Sequence, residues 1–200
     1  TETDALTING SALNYKAFGT SSIMFGDNAT GTIDAANNNT GVGVDVFAAL
    51  TTGDDNTAVG QSSLNANTTG SENVAVGKGS LGNNTTAGTN TAVGYQAMLT
   101  NTTGADNTAV GAQALDANTT ASNNTAVGQA ALGANTTGAS NTAVGRAALD
   151  SNTTAAYNNA FGENSLGANT TGASNNAFGY NSLDANTTGT QNSAFGHGAL

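Results

Sequence analysis

The chain has 200 residues, of which 8% are charged, 37% hydrophobic and 5% aromatic, with 27 Gly and no Pro, Cys or Trp. Three basic residues (Lys16, Lys78, Arg146) against 13 acidic ones leave a net charge of −10, which excludes the clustered cations that nucleic acid or an anionic membrane surface requires. Without cysteine there is neither a disulfide scaffold nor a thiolate metal site, and no run of about 18 apolar residues is present to span a membrane as a helix.

Residues 1–38 are expected to form an irregular N-terminal cap or connection. Residues 1–21 fit no register, whereas Met24-Phe25-Gly26 reads as a degenerate coil. Residues 39–200 repeat one phrase, N-x-A-[V/F]-G-x-x-[A/S]-[L/M], nine times after a degenerate first copy, Asn39-Thr40-Gly41-Val42-Gly43. The glycine closing each A-[V/F]-G triplet falls at Gly60, Gly77, Gly94, Gly111, Gly128, Gly145, Gly162, Gly179 and Gly196 without a slip. A fixed short period without insertions marks a solenoid, each unit one coil stacked on the next. Disorder, the competing reading of so polar a chain, does not hold a strict apolar register.

Within one copy, such as residues 141–157, Asn-Thr-Thr and frequent Gly make a helix of useful length improbable. Short pieces between Gly and Asn read as strands with tight corners. Each 17-residue coil is expected to hold two short strands and two turns, or three shorter sides, stacked at about 4.8 Å. The fold class is all-β: a parallel β-solenoid (β-roll or β-helix) with 17-residue coils.

Stacking sets like residues above one another. Asn56, Asn73, Asn90, Asn107, Asn124, Asn141, Asn158, Asn175 and Asn192 form one file, and Asn67, Asn84, Asn101, Asn118, Asn135, Asn152, Asn169 and Asn186 a second. Asn tolerates left-handed backbone and its amide can bond the Asn above and below, so each file is placed at a corner as a structural ladder. Strand alternation sets Thr57 and Val59 on one face, Ala58 and Gly60 on the other. The Val file (Phe at 161, 178 and 195) is expected to join the Leu file at Leu64, Leu81, Met98, Leu115, Leu132, Leu149, Leu166, Leu183 and Leu200 in a thin core. The Ala/Gly face, too small to fill a core, is expected to meet another backbone closely, that of a partner chain. Two large apolar side chains per coil are few against the entropy of ordering it, so an oligomer is expected, most simply a homotrimer about the fibre axis.

A weaker period of 34 residues sets Asp116, Asp150 and Asp184 in alternation with Gly133 and Gly167, which keeps carboxylates from stacking in adjacent coils. Candidate chemistry is sparse. The single His is His197, with no titratable group placed to pair with it, so no nucleophilic triad or zinc site is expected. Asp54-Asp55 is the one adjacent carboxylate pair and reads as a solvated turn, since the Gly- and Asp-rich nonapeptide of calcium β-rolls is missing. No catalytic residue, cofactor or metal is expected. The Asn-Thr-Thr triplets match the glycosylation sequon, but sugars on every coil would crowd, and the match reads as coincidence. Thr68 and Thr69 must point oppositely, leaving one outward Thr file, the basis of an ice-binding alternative.

The unit Asn107-Thr108-Ala109-Val110-Gly111-Ala112-Gln113-Ala114-Leu115 resembles the YadA-like head repeats of trimeric autotransporter adhesins and related trimeric phage and bacterial tail-fibre repeats. The resemblance covers residues 39–200; the 17-residue coil is longer than the usual head unit by its Asn-Thr-Thr segment. It implies a left-handed parallel β-roll, three chains side by side, and an adhesin role on a cell surface or virion. The expected function is that of a non-enzymatic extracellular structural or adhesive fibre protein, an adhesin head or tail-fibre shaft. Its expected partners are copies of itself and a host-surface receptor or glycan. A head-to-tail filament subunit, its open last coil docking on the next chain's irregular start, is the alternative.

Overall fold

The computed structural model describes residues 7–8, 11–12, 15–18, 22–25 and 35–200. Two short strands, β1 (Thr7–Ile8) and β2 (Ser11–Ala12), pair antiparallel by themselves. β3 (Tyr15–Phe18) lies antiparallel to β4 (Ser22–Phe25), and β4 opens the parallel stack. Met24 sits opposite Gly41 and Phe25 opposite Val42, so β4 holds the register of the repeat. The rest of residues 1–34, including Gly26, lies outside the described residues.

Ten repeat strands follow, one per coil: β5 (Thr40–Val42), β6 (Thr57–Val59), β7 (Val74–Val76), β8 (Thr91–Val93), β9 (Thr108–Val110), β10 (Thr125–Val127), β11 (Thr142–Val144), β12 (Asn159–Phe161), β13 (Asn176–Phe178) and β14 (Ser193–Phe195). Each pairs in parallel with the next, residue on equivalent residue, as Thr125 on Thr142, Ala126 on Ala143 and Val127 on Val144. The molecule is an all-β parallel solenoid with coils of about 17 residues, and no helix occurs among the described residues.

The coil carries one three-residue strand, where two strands or three sides were expected. The cause lies in the backbone after each Gly. Ser62 and Leu64 have φ of 57° and 48°, and the same two positions are left-handed in the following coils, as at Gln113 and Leu115. Alternate left-handed residues fold this segment into successive tight turns, closed by Ser63 N–H to Gly60 O (3.3 Å) and Asn67 N–H to Leu64 O (3.3 Å). A non-Gly residue there costs about 1–2 kcal/mol, and hydrogen bonds between coils hold it in place. Leu64 N–H donates to Ser80 O (3.1 Å), Ala66 N–H to Gly82 O (3.0 Å) and Thr68 N–H to Thr85 O (2.8 Å), so the backbone stays paired from coil to coil where the strand has ended.

The inside of the coil is lined by the strand Ala, the small residue and Leu of the turn, both Asn files, and the Gly or Ala after Thr-Thr. Leu64, Leu115 and Leu149 are fully buried, as is Met98 in the same file. The Val file is not part of this core, contrary to the expectation: Val59 and Val110 are 36% and 37% exposed, and Phe195 is 71% exposed. Ala58, Ala75, Ala92 and Ala109 point inward with no exposure. Strand alternation holds as expected, but with the sides reversed: Thr and Val face outward and Ala inward. The interior already holds a Leu and two amides per coil, which leaves room for a methyl and not for an isopropyl group.

Candidate functional site

Two features span the described solenoid: polar ladders inside it and an uncharged strand face outside it. The first Asn file closes each coil. Asn73 receives no help from solvent, being fully buried, and its Nδ2 donates to Asn56 Oδ1 (3.0 Å) in the coil before and to Ala87 O (2.9 Å) across its own coil. Its backbone N–H donates to the same Asn56 Oδ1 (3.0 Å). The second file runs beside it: Asn84 Nδ2 donates to Asn67 Oδ1 (2.9 Å) and likewise to Ala87 O (2.9 Å). Both amides converge on one carbonyl, so the two files are neighbours in the interior and not separate corners. Neither file has positive φ; beside the first file the left-handed residue is the one before, such as Glu72 (φ 61°) or Asp106 (φ 58°), and near the second it is the Leu three residues earlier, such as Leu64 (φ 48°). The sequon amides of the second file spend both NH2 hydrogens inside the coil, as Asn84 does, so a sugar on one of them would break the ladder.

The glycines of the A-[V/F]-G triplet stand where the strand turns. Gly128 has φ 134°, and a Cβ there would lie 2.4 Å from the carbonyl oxygen of Gly145 in the next coil. Gly111 repeats this, at 2.5 Å from Gly128 O. The close backbone approach expected of the Ala/Gly face is real, but it is made by the adjoining coil of the same chain. The Ala side faces the interior and meets no partner.

Small hydroxyls add further ladders. Ser80 Oγ donates to Ala92 O (2.8 Å) across the core where the turn carries Ser. From Thr51 to Thr170 the first Thr of the Thr-Thr pair is spent on the neighbour, as Thr68 Oγ1 to Thr85 O (3.0 Å) and Thr85 Oγ1 to Thr102 O (3.1 Å). The second Thr, at 52, 69, 86, 103, 120, 137, 154, 171 and 188, is exposed in a single column.

The outward strand face presents two files, Thr (Val74 at one coil; Asn or Ser in the last three) and Val (Phe in the last three). No charged side chain stands in either file from β5 to β14. Phe161, Phe178 and Phe195 stack with centroids 4.8 and 5.1 Å apart and planes within 5° and 3°. Exposed residues flank the face: Asp55, Glu72 and Asp106 before the strands, Lys78 and Arg146 after them. Arg146 pairs with Glu163 one coil on.

His197 is exposed and stacks on Tyr180 at 5.1 Å. Asp54 Oδ1 accepts from Asn37 N–H (2.7 Å). Asp116 and Asp150 occupy the same turn position two coils apart, and burial pushes both carboxyls above their usual range; the Asp150 charge contributes to the shift of Asp116. Asp150 and Asp184 flank a shallow hollow of about 300 Å³ over Gly167. Among the described residues no three His, Asp or Glu side chains come together as a metal site, and no helix is long and apolar enough to cross a membrane. No protein-family model matches the chain, and no curated protein or solved structure does.

Proposed function

We propose that the chain is a non-enzymatic structural or adhesive segment of an extracellular fibre, an adhesin head or tail-fibre shaft, that works as an assembly of several copies. The observation that carries this reading is the uniform stack itself. Each coil is tied to the next by the same backbone bonds, buried amide bonds and Thr hydroxyls, so strength and length accumulate by repetition. Spacing and stiffening need only that, and the repeat's resemblance to adhesin-head and tail-fibre units favours a place on a cell surface or virion. A host-surface glycan or protein is the class of target such a fibre would present to.

Negative-stain microscopy of the purified chain, together with light scattering, tests the reading. Rods of uniform width at a mass above the 19.4 kDa of one chain are expected; round particles at the mass of one chain overturn it. The single exposed Thr column supports a second reading, an ice-binding surface. A thermal-hysteresis assay separates the two, with no hysteresis expected of a fibre segment.

A further inference from the structure

Most exposed positions of the coil change freely from copy to copy. The residue after the triplet Gly is Gln61, Lys78, Tyr95 and Ala112 in successive coils, and the residue before the first-file Asn is Asp55, Glu72, Thr89 and Asp106. The second Thr of the Thr-Thr pair is just as exposed, yet it never changes from Thr52 to Thr188. Folding does not account for this. The first Thr hydroxyl bonds the neighbouring coil, whereas the second has no partner among the described residues. Nor does the sequon, whose Asn is buried in the ladder. The surroundings are as uniform as the column: from residues 66–71 to residues 185–190, the segment around each Thr-Thr pair holds no charge and no side chain larger than Asn, although 13 acidic residues are distributed over the chain. Resting on the reading of the chain as an adhesive fibre segment, we infer that this side of the solenoid binds an extended, uncharged, β-linked polysaccharide chain lying along the fibre axis, one Thr hydroxyl contact per coil.

Chemistry and spacing both select this ligand. A free hydroxyl gives one hydrogen bond and accepts others, which suits a partner whose own hydroxyls do the same. The Thr methyl beside it meets the C–H groups of a sugar ring. A charged polymer would call for opposite charges, and this side carries none. From Thr69 to Thr188 the column forms a straight rank of about 34 Å, at about 4.8 Å per coil. An extended β-linked pyranose chain is straight and advances per ring by nearly one coil, so that successive rings meet successive hydroxyls. A coiled α-linked chain leaves the rank after a few rings. Each contact exchanges one hydrogen bond with water for another and is weak alone. On a rigid rank the contacts add without further ordering of the protein, so affinity grows with the length of the ligand.

Retention of the full chain on cellulose and on chitin is measured, together with its affinity in solution for cello-oligosaccharides of increasing length. Two variants run beside it. Thr103→Val, Thr120→Val and Thr137→Val combined remove hydroxyls and keep the shape, and Ser at the same positions keeps the hydroxyls. The positions are exposed, so both variants should match the parent in circular dichroism and in mass by light scattering. The parent should be retained and should bind longer oligomers more tightly. The Val variant should lose roughly tenfold in affinity, whereas the Ser variant should stay close to the parent. Absence of retention on both polymers overturns the inference and leaves the assembly reading standing, because that reading is decided by mass alone. Equal binding by the Val variant overturns it as well, since another surface then holds the glycan. Thermal hysteresis that the parent shows and the Val variant loses overturns it in favour of ice as the occupant. A monomeric chain that still binds in this pattern keeps the inference and overturns assembly.

Discussion

Replacing Asn107 by Ala tests whether the buried amides hold the stack. Asn107 Nδ2 donates to Asn90 Oδ1 (3.2 Å) and Ala121 O (2.9 Å), and its Oδ1 accepts the backbone N–H of Asn124 (2.9 Å). Two of the three partners survive its loss. Asn90 Oδ1 keeps the backbone N–H of residue 107 (3.0 Å), and Ala121 O keeps Asn118 Nδ2 (3.1 Å). The backbone N–H of Asn124 is left without an acceptor in an interior where that residue is 1% exposed. An orphaned buried donor costs about 1–3 kcal/mol, and each satisfied bond removed costs about 1 kcal/mol more. With two donated bonds lost beside the orphaned N–H, the sum is roughly 3–5 kcal/mol, a large part of the stability of an ordinary domain.

Urea unfolding followed by circular dichroism measures this, with Gln113→Lys as the control. Gln113 is exposed and already left-handed at φ 58°, so Lys there should change stability by less than about 0.5 kcal/mol. Asn107→Asp refines the test. It keeps an oxygen for Asn124 N–H but removes both donors and buries a carboxyl, whose folded pKa must then rise. The folded state binds more protons than the unfolded one, so the variant should be weakest at neutral pH and recover as pH falls towards 4. Equal stability of Asn107→Ala and the parent would refute the claim that the amide ladder carries the fold.

Gly128→Ala sets a Cβ 2.4 Å from Gly145 O in a backbone region reserved for Gly, whereas Gly198 (φ 60°) has nothing within 4 Å; the first should cost more than about 3 kcal/mol and the second about 1 kcal/mol in the same unfolding assay. Ala109→Asp should abolish the folded spectrum, because Ala109 is fully buried beside Leu115, while its neighbour Val110→Asp should keep it. Burial raises the Asp116 and Asp150 carboxyls in the folded state, so their charged forms oppose folding at neutral pH and that opposition fades as pH falls through the raised values. Asp150→Asn should therefore stabilise at pH 7 and give little gain near pH 3.5, measured as the shift in the urea midpoint at each pH.

The period of 17, the parallel stacking, the Asn-on-Asn columns and the Leu core were legible because each depends only on which residues recur at equal spacing. Coil shape was not. Left-handed backbone ordinarily announces itself by Gly or Asn, but here it falls on Leu64, Ser62 and Glu72, imposed by inter-coil bonds that no local preference reveals. The Asn files misled for the same reason: their amides are used across the coil, so they sit inside it with ordinary φ. Likewise, the small residues at Ala58 and Gly60 did signal close packing, but the neighbour is the chain's own next coil.

The reversal of the strand faces has a physical lesson for the proposed function. Alternation states that Thr57 and Val59 share a side, and hydrophobicity alone would turn that side inward. Volume decides otherwise, since a coil of 17 residues that already encloses a Leu, two amides and a small turn residue admits Ala and excludes Val. From β6 on, a solenoid this narrow encloses Leu, Ala and hydrogen-bonded amides and turns the Val and Phe of its strands outward; the first coil, where Gly41 stands in place of the strand Ala, instead buries Val46 and Phe47. The apolar surface that would build the core of a globular protein becomes, here, a straight stripe repeated coil after coil. On the proposed reading, each added coil would lengthen the fibre and the exposed apolar stripe together, so that one repeat would set both.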